Sequence, residues 1–130
     1  MRTERRANPR FLTEDNAFAA IGRKFEKVGR IKDISLGGLA MDYIVGDSTH
    51  NNSSQVDIFL TGNVFHLYNV PCRLVYDIEI HVPHVNNKYV KILTTNRCGI
   101  KFQNLRQDDV SQLELFLDTY TNGYVEIKRY

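Results

Sequence analysis

Lys24-Phe25-Glu26-Lys27-Val28-Gly29-Arg30-Ile31-Lys32-Asp33-Ile34-Ser35-Leu36-Gly37-Gly38-Leu39-Ala40-Met41-Asp42-Tyr43-Ile44 is the stretch on which the fold turns. Its first part, Lys24–Lys32, sets Phe25, Val28 and Ile31 among charged neighbours, the partial alternation of a half-buried strand, with Gly29 as a bulge. Asp33–Gly38 reads as a turn, because consecutive glycines supply backbone angles that other residues resist. Leu39–Ile44 resumes a strand. The stretch is therefore a strand, a tight polar turn and a strand.

The same grammar repeats outward. Upstream, Ala17–Ile21 is short and apolar and Gly22 ends it, while residues 1–10 are polar, basic and interrupted by Pro9, as a flexible arm would be. Downstream, Gly46–Gln55 is a polar loop, and Val56–Leu60 and Val64–Tyr68 flank the hairpin turn Thr61-Gly62-Asn63. Cys72–Val82 and Lys88–Thr94 flank a longer hairpin at Pro83-His84-Val85-Asn86-Asn87, and Arg97–Phe102 is a final strand. Many short strands with frequent turns predict an all-β-dominated antiparallel barrel or sandwich. The period then changes. Val110, Leu113, Phe116, Leu117 and Tyr120 share one helical face, with Asp108 and Asp109 at the positive N-terminal end and Asn122-Gly123 as the stop. Tyr124–Tyr130 is a short strand or a loose tail. The expected organisation is an arm over residues 1–12, a barrel with its C-terminal helix over 13–122, and a tail over 123–130.

At 130 residues, with 42% hydrophobic and 25% charged, the chain fits one globular domain. The net charge of +2 is mild, but residues 1–32 hold nine Lys/Arg against four Asp/Glu, or +5. No run of apolar residues is long enough to span a membrane, and no secretory leader is visible, so a cytoplasmic location is expected. Cys72 and Cys98 stand apart without a CxxC and read as two buried thiols. His50, His66, His81 and His84 read as surface histidines; His81 and His84 lie three apart without a third metal ligand. Ser35 has no histidine or lysine partner, and no HExxH or paired-acid motif occurs. Neither an enzyme nor a metal or cofactor is expected.

Arg5-Arg6-Ala7-Asn8-Pro9-Arg10 packs three guanidiniums into six positions. Guanidiniums grip phosphate and stack on flat rings. The Asp33–Gly38 turn offers a carboxylate and a hydroxyl beside bare backbone, suited to the hydrogen-bonding edge of a base. The pair points to a nucleotide with several phosphates. Arg6 and Arg10 form an RxxxR signature, and Asp33, Ser35 and Gly38 a [D/N]xSxxG signature just before a strand; Gly99-Ile100-Lys101-Phe102 matches a G-x-x-F strand followed by a helix. With these in order from about Arg5 to Tyr120, the chain resembles the PilZ domain, the bacterial receptor module for cyclic di-GMP.

The resemblance implies a six-stranded antiparallel β-barrel with a C-terminal α-helix, and an arm that wraps over the ligand. Arg6 and Arg10 would contact phosphates and guanine faces or edges, and Asp33 would accept from guanine N1–H and N2–H₂. Ser35 would add a hydroxyl contact, Gly38 would let ligand and backbone approach, and Arg5 would support a dimeric ligand. Tyr76 is either a platform for a guanine or packing of the barrel wall. The implied partners are cyclic di-GMP and a downstream protein effector in motility, pilus function, exopolysaccharide synthesis or virulence. The 46–55 loop and the 78–89 hairpin are longer than a minimal domain of this kind needs. Two other functions fit the sequence less well. A PilZ-like adaptor acting through protein contacts alone would usually lack parts of both signatures, and both are intact. A barrel for single-stranded nucleic acid needs aromatic platforms along a basic groove, whereas these aromatics follow core periods.

Overall fold

A computed structural model describes residues 8–46, 54–62, 64–80 and 94–124. The strands are β1 (Phe11–Thr13), β2 (Ala17–Ile21), β3 (Lys27–Ile34), β4 (Gly38–Ile44), β5 (Gln55–Leu60), β6 (Phe65–Glu79) and β7 (Thr95–Phe102). Helix α1 (Gln107–Thr119) and β8 (Thr121–Tyr124) come next. All pairings are antiparallel. Six strands close on themselves in the order β2-β5-β6-β7-β4-β3, with β3 returning to β2. The barrel, not the sandwich, is the architecture.

The barrel closes because β3 has two partners on one edge. Its first half pairs with β2 (Phe18↔Arg30 to Ile21↔Lys27), and its last residues pair with β1 (Phe11↔Ile34, Leu12↔Asp33). β8 then adds to the outer edge of β1 (Phe11↔Tyr124, Thr13↔Thr121). The chain entering the barrel at Phe11 is thus held between β3 and β8, inside the 1–12 segment expected to be an arm.

Alternating residues fill the interior: Ala17, Ala19 and Ile21 from β2, Ile31 and Ile34 from β3, and Leu39, Met41 and Tyr43 from β4 are all buried. Leu113, Phe116 and Leu117 of α1 join this core, and the Phe116 ring sits 5.2 Å from that of Phe65. The helical face is as its period predicts. Burial removes roughly 1.5–3 kcal/mol of unfavourable hydration per large apolar side chain. At the helix start the buried Asp109 carboxylate accepts from the Arg106 backbone N–H at 3.1 Å, satisfying an otherwise orphaned donor.

Several expectations need correction. β6 is one strand of 15 residues, continuous through Tyr68–Cys72 where two strands with a break were expected. Pro71 is tolerated there, opposite Gln55 at the end of the β5 ladder. Of Phe25, Val28 and Ile31, only Ile31 faces the core; Phe25 and Val28 are exposed and β3 starts at Lys27. Gly29 is not a bulge: it keeps register with both Ala19 and Tyr43, and any side chain there would strike the Asp42 carbonyl. The helix stops at Thr119, before Asn122-Gly123, which belong to β8. There the Tyr120 N–H still donates to Phe116, and the chain turns to pair with β1. Cys72 and Cys98 are buried thiols. The expectations for residues 47–53, for His50, His81 and His84, for the strand at Lys88–Thr94 and for residues 125–130 lie outside the described residues, apart from Thr94. Among the described residues no helix is long and apolar enough to cross a membrane.

Candidate functional site

The site forms on the outer wall of β6, β7, β4 and β3, and bulges create it. Strict alternation would send Asp33 inward with Ile31, and Tyr76 inward with Leu74. Instead the β3–β4 register shifts between Ile31 and Asp33, and the β6–β7 register shifts between Leu74 and Tyr76. Each shift inserts one extra residue, Lys32 or Val75, and reverses the facing of the residues beyond it. Asp33 and Tyr76 therefore both point outward.

Cross-strand pairing then lines them up. Tyr76 is opposite Gly99, Gly99 opposite Ala40, Ala40 opposite Asp33, and Asp33 opposite Leu12. An aromatic ring and a carboxylate stand at the two ends of a floor made of two small residues. The Tyr76 ring leans over that floor and occupies the volume a side chain at Gly99 would need. Its phenol pKa is raised, first by burial and then by the negative charge of Asp33, while Arg10 and Arg97 oppose the shift. One field thus contains Tyr76, Asp33, Arg10 and Arg97.

Arg10 precedes β1, whose pairing carries its side chain to the outer face beside Asp33. The Arg10 Nη1 donates to Asp33 Oδ1 at 3.0 Å, with 29% of the Arg10 side chain and 19% of the Asp33 side chain exposed. One row away along the strands, Arg97 is opposite Asp42. Its Nε donates to Asp42 Oδ1 at 2.7 Å and its Nη2 to Oδ2 at 3.1 Å, a bidentate fork. That hydrogen bond is the main cause of a raised Arg97 pKa.

The Asp33–Gly38 turn organises itself. The Ser35 N–H donates to the Gly38 carbonyl at 2.8 Å, and the Gly37 N–H donates to Ser35 Oγ at 3.0 Å. The Gly37 carbonyl accepts from the Phe102 N–H at 2.9 Å, tying the turn to the end of β7. The Ser35 hydroxyl is buried and engaged within the turn. Gly38 has a structural requirement of its own: a side chain there would collide with the Ile100 carbonyl of β7.

Of the residues singled out in the sequence, Arg10, Asp33, Ser35 and Gly38 gather at one end of this wall and Tyr76 stands at the other. Arg5 and Arg6 lie outside the described residues. The Asp42–Arg97 fork leaves no signal in the sequence. Its members are 55 positions apart and neither belongs to a signature, so only strand pairing reveals it.

The PilZ domain family model matches residues 4–119. No curated protein matches the sequence. Among solved structures, the PilZ domain of YcgR from Escherichia coli with cyclic di-GMP is 17% identical, with a TM-score of 0.62 over 90% of this chain and 92% of that one. Apo MrkH of K. pneumoniae is also 17% identical with a TM-score of 0.62, over 92% of this chain but only 50% of that one. At such identities these likenesses speak for the barrel and its helix alone, whereas the family match runs through both signatures. The chain belongs to the PilZ domain family.

Proposed function

We propose that this protein is a cyclic di-GMP receptor whose arginine-bearing N-terminal segment closes over a ligand seated on the β6-β7-β4-β3 wall. The observation that carries the reading is the row Tyr76–Gly99–Ala40–Asp33, with Arg10 bonded to its acidic end. The small floor lets the Tyr76 ring lie down on the wall, and a flat base can stack on that ring. A guanine resting beside Tyr76 gains ring stacking, and Asp33 can accept from its N1–H and N2–H₂, which adenine cannot offer in the same way. Arg5, Arg6 and Arg10 supply phosphate and guanine contacts, while Ser35 and Gly38 hold the turn that carries Asp33. The solved structure of the E. coli YcgR PilZ domain contains cyclic di-GMP, which supports this choice of ligand within the family. The output is an altered surface for a downstream protein.

Before ligand binds, Arg10 already neutralises Asp33. Binding therefore exchanges one ion pair for ligand contacts, and the reordering of the arm offsets part of the contact energy. Titration calorimetry of the unmodified protein and of Arg6→Ala, Arg10→Ala and Asp33→Ala with cyclic di-GMP tests the reading. Saturable binding that each substitution weakens by about tenfold or more is expected. Absence of binding by the unmodified protein, or indifference of all three variants, would overturn it.

A further inference from the structure

We infer that Arg97, held in place by Asp42, is a ligand contact borne by the barrel itself, directed at a phosphate of the cyclic dinucleotide. The inference rests on the cyclic di-GMP reading and adds to it a cation outside both signatures. Arg97 and Gly99 lie two residues apart on β7 and face the same outer side, through their partners Asp42 and Ala40 on β4. Two residues of strand span about 6.8 Å. A guanine stacked on Tyr76 with its sugar and phosphate directed along β7 toward the Asp42–Arg97 row would bring a phosphate to Arg97.

The guanidinium is prepared for such a contact. Asp42 takes its Nε and Nη2 donors, leaving the Nη1 end of the fork for an incoming anion. The side chain is 38% exposed, so an anion can reach it, and the Asp42 side chain behind it is 22% exposed. An arginine already fixed by a carboxylate loses little further freedom on binding. Arg97 also lies close enough to Tyr76 and Asp33 to influence both electrostatically, so its charge is part of the same site. Asp42 acts as a positioning residue: it aims the fork without touching the ligand.

The test compares Arg97→Ala, Arg97→Lys, Asp42→Asn and the Arg97→Ala/Asp42→Asn pair with Arg10→Ala, all titrated with cyclic di-GMP at two salt concentrations. Arg97→Ala should weaken binding by about tenfold or more, as loss of a charge-assisted hydrogen bond does. It should also flatten the salt dependence, because one fewer charge attracts the ligand, which a purely structural substitution would not do. Arg97→Lys should recover part of the affinity, and Asp42→Asn should weaken binding less than Arg97→Ala. The double variant should bind like Arg97→Ala alone, because Asp42 acts only through Arg97. If Arg97→Ala unfolds, Arg97→Gln carries the same comparison. Unchanged affinity and salt slope in Arg97→Ala or Arg97→Gln, while Arg10→Ala loses binding, would overturn the inference and leave the receptor reading intact. No binding by the unmodified protein would remove both.

Discussion

The Tyr76 ring fills the space that a side chain at Gly99 would occupy, so the aromatic wall of the site and its glycine floor are one packing unit. A Cβ at position 99 would overlap the ring carbons Cε2, Cζ and Cδ2. The ring is thereby kept down on β7 instead of standing free in solvent.

Gly99→Ala should therefore expel the ring. A stability loss of about 1–3 kcal/mol is expected in urea unfolding, the range for overpacked sites. Adding Tyr76→Ala to Gly99→Ala should cost less than the sum of the two single changes, because removing the ring relieves the clash. Additive losses would show that ring and glycine are independent.

Adjacent glycines in the Asp33–Gly38 turn should respond very differently. Alanine at Gly38 meets the Ile100 carbonyl and the Lys101 Cα, backbone atoms that cannot turn aside, and should cost about 3 kcal/mol or more. Alanine at Gly37 meets the end of the Asn8 side chain at 3.1 Å, which can rotate away, and the Ser35 hydroxyl at 3.6 Å, an ordinary contact. Its cost should stay within about 1 kcal/mol. Thermal melts of the two variants decide the matter. Equal losses would contradict the close approach of β4 to β7 as the reason for Gly38.

Binding and stability should separate at Asp33. Its ion pair with Arg10 is partly exposed, and such pairs contribute about 0–1 kcal/mol. Asp33→Ala should unfold near the same urea concentration as the unmodified protein while losing most of its affinity for cyclic di-GMP. A large drop in unfolding midpoint would instead make Asp33 a structural residue.

Alkaline pH should destabilise the barrel. Burial pushes the Cys72 and Cys98 thiols up from 9.0 to about 12. Between those values an unfolded chain releases thiol protons that the folded chain keeps, so the unfolded state gains. This contribution is fully present below about pH 9 and is lost as pH rises toward 12, with a limiting slope of about 1.4 kcal/mol per pH unit for each thiol. Tyr43 shifts in the same direction, mainly through burial and then through its hydrogen bond to Asp77. Urea midpoints in reductant should fall from about pH 9 upward, and less steeply in the Cys72→Ala/Cys98→Ala variant. A midpoint flat to about pH 10.5 would show that the thiols titrate alike in both states.

Local chemistry was legible in the chain. The glycine pair after Ser35, the apolar period from Val110 to Tyr120 and the turn at Thr61-Gly62 each depend on neighbours within a few residues, and the strands and helix formed around them. Phe25 and Val28 misled because spacing alone does not say where a strand begins. β3 starts only after the Gly22–Glu26 turn, and its pairing with β2 leaves both side chains outside.

Local chemistry was enough to place the cores of β2, β4, β5 and β7, the helix, and the signatures of Arg10, Asp33, Ser35 and Gly38, but not β1, β8 or the unbroken run of β6. Tertiary structure alone decided how they meet. A side chain's facing reverses with every one-residue change of register, and the extra residues Lys32 and Val75 can be located only against partner strands. Those two bulges aim Asp33 and Tyr76 outward, and closure of the barrel brings Asp42 to Arg97 across 55 positions. Hydrogen-bonded register is a relation between strands, so it is written in no single one of them.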